Sequence, residues 1–520
     1  MKTLKSLILI SLLLLCLSFE GKAQYIPGAF GFEDLSSLFS NTRIGGSARI
    51  RAMGGAQYSL GGDISSASSN PAGLGFFRKS EFSLSPSYNM FDIQSTYNGS
   101  VSRENDTRIN FANVGIVFNN SKDDVVPGAW RGGSFAISIN KVNDFNGNFF
   151  FQGSDINTSI TDFFAGSAFG INEIDILNEY DIPALAYESY IINPTYYFEN
   201  DGFDDEYTTI LEPEQLASQS EFIESRGGQY EWNFAYGGNF ADKLYIGAGF
   251  GVTNIRYQVD KSFTEIVDPT TATSPGLDLT LTESLRINGI GINGKIGIIA
   301  KPLPFLNIGA SFTSPSIINV DLEETPSLRA EVFDANNQNY QLYFPTTDTT
   351  VAIEPYERAG DIFLSEFRVR TPYRVGLGTS VFLGKIGFVS ADVEYVNFAS
   401  QKIRNRDISA EEENAINRSI FEAHKGVFNI RLGGELRYNI FRFRGGYALN
   451  PNPFEAGLNR SQSSISFGAG IRKENFFVDL AYVARSFDSN YQPYPAGEDT
   501  PVATFNNNFN SAILSAGFFF

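Results

Sequence analysis

The run Phe428-Asn429-Ile430-Arg431-Leu432-Gly433-Gly434-Glu435-Leu436-Arg437-Tyr438 sets Phe428, Ile430, Leu432, Leu436 and Tyr438 on one face and Asn429, Arg431, Glu435 and Arg437 on the other. A period of two marks an extended strand with two unlike faces. The pattern continues with Phe441, Phe443 and Tyr447 against Arg442 and Arg444, and again with Phe476, Val478, Leu480 and Tyr482 against Asp479 and Arg485. Runs of about ten alternating residues suit a transmembrane β-barrel, with one face to lipid and one to the lumen. The charges should face inward, because Arg or Lys at the bilayer midplane costs about 2 to 4 kcal/mol.

Composition agrees with an all-β membrane protein. The chain of 520 residues has 49 Gly, 48 Phe and 24 Tyr at a mean hydropathy of only −0.13. Aromatic girdles at the two rims of a barrel account for the Phe and Tyr. Residues 1–23 read as a secretory leader: Lys2 and Lys5, an apolar run from Leu7 to Leu17, then Gly21-Lys22-Ala23. Cys16 lies in that run after Leu15, where a lipoprotein signal wants a small residue, so no lipid anchor is expected. Removal of the leader also removes the only cysteine, leaving neither a disulfide nor a thiolate metal site. Beyond it no apolar stretch reaches the roughly 18 residues of a membrane-spanning helix. The net charge of −19 argues against nucleic acid or anionic lipid as a partner.

Residues 80–520 divide into about fourteen strands of an antiparallel barrel, expected near 81–98, 107–118, 133–151, 229–240, 243–260, 280–301, 304–322, 364–383, 385–401, 425–438, 440–450, 462–472, 474–488 and 506–520. Short turns follow the even strands, at Ala241-Asp242, Pro302-Leu303, Gly384, Asn439 and Lys473, with 119–132 the exception. Long loops follow several odd strands, chiefly 152–228, 323–363 and 402–424, with shorter ones at 261–279 and 489–505. That parity puts both termini in the periplasm and the long loops outside the cell.

Between leader and barrel, residues 24–79 should form an N-terminal plug, or hatch. Ala48–Phe77 is too rich in Gly and Ser for a strand. Asp63 is a good N-cap for one helical turn through Ser65 to Ala67. Asn70-Pro71 then ends that turn, the proline extending Asn70 and the asparagine side chain bracing the corner. With so little apolar surface, the plug's hold on the wall should rest on a few polar contacts. The motifs Arg51-Ala52-Met53-Gly54-Gly55-Ala56, Asp63 before a Ser-Ala pair, and Asn70-Pro71-Ala72-Gly73-Leu74 resemble the hatch of the FadL-type outer-membrane transport proteins. Leu306–Phe312, Arg370–Gly378 with Ala391–Tyr395, and Arg444-Gly445-Gly446-Tyr447 resemble that family's later strands. A last strand ending in Phe518 and Phe520 resembles the signal read by the outer-membrane assembly machinery, which would be a partner during biogenesis.

The resemblance implies a bacterial outer-membrane channel for passive uptake of a hydrophobic small molecule, a long-chain fatty acid or an aromatic compound, with Asp63, Asn70, Pro71 and Ala72 at the gate. It implies outer-membrane lipid as a neighbour and neither cofactor nor metal. The loop 152–228 departs from the family in its acidity: residues 154–228 hold sixteen Asp and Glu and one basic residue, Arg226. Its Phe163, Phe164, Phe169, Leu177, Tyr180, Leu185 and Tyr187 read equally as a capture groove for the ligand or as the loop's own core. Asp201–Glu206 lacks EF-hand spacing and reads as a solvated acidic turn. Arg368, Arg370 and Arg374 share one face of a strand and, with Arg431, Arg442 and Arg444, are candidates for a ligand carboxylate or for lumen ion pairs. The lone His424, at the end of a loop helix capped by Ser409 and Glu412, reads as a surface residue. Without a second histidine or a Gly-x-Ser-x-Gly motif an enzyme is not expected. A barrel scaffold or shuttle for secreted proteins and a general porin are the alternatives.

Overall fold

The computed structural model describes residues 30–41, 43, 45–122, 128–177, 181–199, 202–455, 461–496 and 500–520. The leader, Tyr180 and Asp201 lie outside them. Fourteen antiparallel strands close into a barrel: Glu81–Tyr97, Ser100–Ser121, Trp130–Asp144 continuing as Gly147–Ile156, Ala217–Phe240, Leu244–Val267, Gly276–Leu303, Leu306–Thr313 continuing as Ile317–Phe333, Phe363–Arg370 continuing as Arg374–Phe382, Gly387–Asn397 with Lys402–Asn405, Gly426–Tyr438, Phe441–Asn450, Gln462–Arg472, Phe476–Tyr491 and Ala503–Phe519. The first strand pairs with the second and with the last, from Glu81↔Phe519 to Thr96↔Thr504, so the ring has no free end.

Alternation sorts the two faces as the sequence requires. On the tenth strand Phe428, Leu432 and Leu436 are 59%, 46% and 60% exposed, while Arg431 and Glu435 are 4% and 3%. Ile246, Ile296, Leu377, Phe443, Phe467 and Leu480 extend this outer apolar belt around the wall. Near the short turns Phe240, Phe305, Tyr438, Phe441, Phe518 and Phe520 stand exposed as an aromatic rim. A ladder joined from first strand to last inside an apolar belt is the β solution to spanning a bilayer, since a paired strand turns no backbone polar group to hydrocarbon. The barrel lies in the bacterial outer membrane.

Several strands run further than the alternation of their apolar residues suggests. The fourth begins at Ala217, not near 229, and the seventh reaches Phe333. There the inward positions include Gln219 and Glu221, both buried, so the usual polar and apolar faces are mixed and the pattern looks like loop. The acidic connection therefore shrinks to 157–216. It folds over the mouth as helices Ile160–Ala168, Glu173–Ile176 and Ile182–Glu188 with a small sheet of Ile192–Pro194 and Tyr207–Thr209. The first hairpin closes in two residues, Asn98 (φ 42°) and Gly99 (φ 82°), the pairing a type I′ turn demands.

The lumen is divided. Its outer half is filled by one large apolar core that includes Phe91, Phe145, Phe149, Phe151, Leu185 and Phe505. The N-terminal helix Phe32–Ser40 joins that core through Leu35, Leu38 and Phe39. The half at the short-turn end holds residues 45–77, coiled against the inner wall.

Candidate functional site

The corner around Asn70 is built as its sequence requires. Asp63 caps the turn Ile64–Ala67 by accepting the Ser65 N–H at 3.0 Å, and it also accepts the Ser47 hydroxyl at 2.8 Å. Asn70 is extended (φ −134°, ψ 97°) and its Oδ1 accepts the Ala72 N–H at 3.1 Å. Its Nδ2 donates to the carbonyl of Tyr58 at 2.6 Å and faces those of Ile298 at 3.4 Å and Ala310 at 3.3 Å on the sixth and seventh strands. Ala72 packs with Tyr245 and Ile299, and Phe76 stacks on Tyr245 at 3.8 Å.

The expectation of a sparse, polar hold on the wall is corrected by packing. Strands four to eight and ten to twelve each turn a glycine toward the N-terminal segment: Gly237, Gly247, Gly297, Gly309, Gly378, Gly433, Gly446 and Gly468. A Cβ on Gly247 would meet the Pro71 carbonyl carbon at 2.2 Å, and one on Gly446 the Gly54 nitrogen at 2.1 Å. Backbone lies on backbone there, which only glycine permits. Small apolar clusters, such as Ile64, Ala67 and Leu74 with Val117, Ala136 and Ala235, fill the rest.

Strand nine offers a carboxylate instead of a glycine. Asp392 accepts the N–H groups of Gln57 at 2.6 Å and Tyr58 at 2.8 Å. Two residues on, Glu394 receives the Tyr58 hydroxyl, Asn429 at 2.9 Å, Arg431 at 2.8 Å and Arg374 at 3.4 Å. Glu435 holds Arg444 at 2.8 Å and Arg49 of the plug at 3.5 Å, and Arg444 reaches Asp479 at 2.6 Å. Of the six candidate arginines, then, Arg374, Arg431 and Arg444 face the lumen and are held by wall carboxylates. Arg442 lies at a turn, donating to the carbonyls of Asn439 and Phe441 at 2.7 and 2.8 Å. Arg368 and Arg370 point outward and do not share a face with Arg374. Thr371-Pro372-Tyr373 interrupts the strand and shifts its phase, which alternation counted straight through Pro372 misses. That Asp392, Arg49 and the wall glycines meet across the lumen had no mark in the sequence, since Asp392 holds Gln57 and Tyr58, and Arg49 holds Glu435, from hundreds of residues away.

At the mouth the proposed groove residues separate. Phe164 and Leu185 are fully buried in the outer core and Phe163 and Tyr187 pack against it, while Phe169 and Leu177 are 70% and 44% exposed. Most of the set is thus loop core. Glu173 ties the loop together by accepting hydroxyls of Tyr187, Tyr196 at 2.5 Å and Tyr197 at 2.8 Å. Partial burial would raise its carboxyl, but those donors outweigh it and hold the pKa below the ordinary range. His424 is buried, not a surface residue: it caps its helix, with Nδ1 2.8 Å from the Ile420 carbonyl and Nε2 2.8 Å from the Ser37 hydroxyl of the N-terminal helix. Ser409 accepts the Glu412 N–H at 3.1 Å, one half of the expected capping box.

The wall is not continuous. Strand two pairs with strand three only from Asn113↔Asn140 to Ser121↔Gly132, so among the described residues its outer half, Ser100–Ala112, has a ladder partner on one side alone. Strand three stays paired to strand four on both sides of a break at Phe145-Asn146. Its upper part passes behind strand one, where Ser95 donates to the Phe150 carbonyl at 2.5 Å and Tyr97 lies 4.6 Å from Phe151. Asn110 reaches Asp144 across the parted strands at 3.3 Å, and Arg108 reaches past strand three to Glu224 of strand four at 3.8 Å. An unpaired ladder edge is costly in hydrocarbon, which makes the slot a place for water or a ligand. Deeper in, a cavity of about 90 Å³ lies between plug and outer core, lined in part by Tyr58, Glu231, Lys295, Arg374 and Glu394.

No family model matches the sequence, and no curated protein matches it. Solved structures do. A Pseudomonas aeruginosa FadL homologue superposes with a TM-score of 0.54 at 11% identity, over 92% of this chain and 99% of that one. The Pseudomonas putida toluene transporter TodX (TM-score 0.48, 13% identity) and the Ralstonia pickettii toluene transporter TbuX (0.46, 15%) also align over 92% of this chain and 99% of theirs. The closed barrel, its internal N-terminal segment and the first of these likenesses agree: the chain has the FadL-type fold of outer-membrane channels.

Proposed function

We propose that the protein is a channel for passive entry of hydrophobic small molecules, of the fatty-acid or aromatic class, and that residues 45–77 act as its hatch. The observation that carries this reading is the slot between strands two and three beside a lumen that is apolar above and plugged below. A general porin would need an open aqueous path, which the seated segment blocks. The acidic loop would receive the ligand, its exposed Phe169 and Leu177 offering first contact, and the slot would release it sideways into the bilayer. The tight packing around Asn70-Pro71-Ala72 favours this lateral route over wide opening toward the periplasm.

The test is to clamp the slot. With the leader removed the chain has no cysteine, so Asn110→Cys with Asp144→Cys introduces one pair that a short reducible thiol cross-linker can join. Uptake of a fluorescent hydrophobic probe by cells should fall on cross-linking and recover on reduction. Unchanged uptake would reject the lateral route.

A further inference from the structure

We infer that the short-turn end of the barrel binds a glycerophospholipid, its anionic head seated between the hatch and the turns that join strands six to seven and eight to nine. This goes beyond the channel reading and does not depend on what the channel carries. A cavity of about 460 Å³ lies there, lined in part by Arg49, Leu60 and Phe76 of the hatch and by Lys301, Asn307 and Arg437 of the wall. Its size is that of a small-molecule cleft. No carboxylate is among its lining residues. Glu435, outside the cavity, accepts Arg437 Nε at 2.7 Å and lies 3.5 Å from Arg49 Nε, so those two charges are already shared with the wall. Lys301 is different. Its Nζ stands 5.8 Å from the centre of the Phe76 ring, and among the described residues no carboxylate pairs with it. Asn307 adds a second requirement. Its Nδ2 donates to the Ser59 carbonyl at 3.1 Å, which fixes the amide, while its buried Oδ1 has no donor within the protein. A buried acceptor without a donor costs free energy. A ligand that answers both groups joins an anion to an O–H or N–H donor.

The surroundings supply the rest of the ligand's description. Leu303, Phe305, Leu383 and Ile386 stand exposed at the same two turns. The Arg437 N–H donates to the Ile386 carbonyl at 2.7 Å, so the charged lining and this apolar rim are continuous. Charge at this end is opposite to that of the whole chain. Within three residues of the five short turns lie seven basic residues and two acidic ones, Asp242 and Glu474, in a chain of net charge −19. The acid is concentrated in the loop over the mouth, so the overall acidity that argues against anionic lipid does not apply at the short-turn end. A phosphodiester beside Lys301 and the guanidinium of Arg437 meets a point charge and a fork that both suit phosphate. A head-group hydroxyl then reaches Asn307 Oδ1, and the acyl chains lie against the apolar rim. Phosphatidylglycerol has all three parts. Phosphatidylcholine has the phosphodiester and the chains, but it offers no donor and its quaternary ammonium cancels the charge.

The probes are dioleoyl phosphatidylglycerol and dioleoyl phosphatidylcholine, each added to the purified full-length protein in a non-ionic detergent at low salt, with bound lipid counted by native mass spectrometry. One phosphatidylglycerol should be held about tenfold more tightly than phosphatidylcholine, the scale of one charged hydrogen bond. Lys301→Gln should remove that preference, and so should Asn307→Asp, which sets a carboxylate beside the phosphate. Lys473→Gln, on a turn outside the cavity, should leave it unchanged. Equal retention of the two lipids, retention of neither, or a preference that survives Lys301→Gln overturns the site. A loss with Lys473→Gln as large as that with Lys301→Gln would show attraction to the basic rim alone and overturns it as well. Displacement of phosphatidylglycerol by equimolar glycerol 3-phosphate would show a site for free phosphate and overturn the lipid. If Asn307→Asp fails to fold, Lys301→Gln decides, since it breaks no ion pair.

Discussion

A Cβ on Gly297 would stand 1.8 Å from Oδ1 of Asn70. The sixth strand thus leaves out a side chain where the hatch corner needs its own. Replacing Gly297 with Ala should push the corner from its seat without breaking the barrel ladder, whose bonds are backbone. Leakage of small polar solutes through the outer membrane should rise, while the folded barrel keeps its heat resistance on gels. Leakage equal to the parent's would mean that the wall relaxes around the added methyl.

Asn70→Ala with Pro71→Gly probes the same corner from the other side. Asn70 Nδ2 faces three carbonyls and its Oδ1 accepts one N–H. At about 0.5 to 1.5 kcal/mol net for each bond, their loss should favour an unseated hatch by about tenfold or more. Both hydrophobic-probe uptake and polar leakage should change at equal surface abundance. If neither changes, the segment is a static filler.

Topology is tested by protease sites. A site inserted near Asp204, in the loop over the mouth, should be cut on intact cells, and one at Asn439, in a tight turn at the opposite end, should not. Cutting at Asn439 alone would invert the barrel.

Acid should loosen the mouth loop. Glu173 has its pKa held below the ordinary carboxylate range by tyrosine donors, so its contribution is complete above about pH 4.3, the value of a free Glu. It is lost as pH falls through the lower, folded value. Pepsin cleavage within 157–216 should therefore accelerate in that acid window, and Glu173→Gln should remove the step. Identical pH profiles for the two proteins would detach the loop's order from Glu173.

How legible this molecule is in its sequence depends on how far a residue's partners lie along the chain. Phe428 to Tyr438 declare their faces because a strand's alternation is local. The capping by Asp63 and the bend at Asn70-Pro71 are equally local. Arg368 and Arg370 are misplaced because Pro372 resets the phase between them and Arg374, a local event that alternation alone does not weigh. His424 is buried because Ser37 lies 387 positions away in sequence. The glycine ring is invisible for the same reason: a strand glycine facing a plug reads like any other until the plug is in place.

Ser80 and Phe520 exchange two backbone hydrogen bonds of 3.0 Å each, where the first and last strands meet. The ring therefore cannot shut until synthesis has reached its final residues, and removing Phe520 should slow assembly at that last step while secretion continues; normal accumulation of the shortened chain would refute this. The glycines that touch the hatch come from strands four to eight and ten to twelve, so its seat exists only once strands from most of the ring stand side by side. Long-range pairings of this kind are slow to form. The same contacts that seat the hatch are thus assembled from strands far apart in the chain, and its socket is complete only when the ring is.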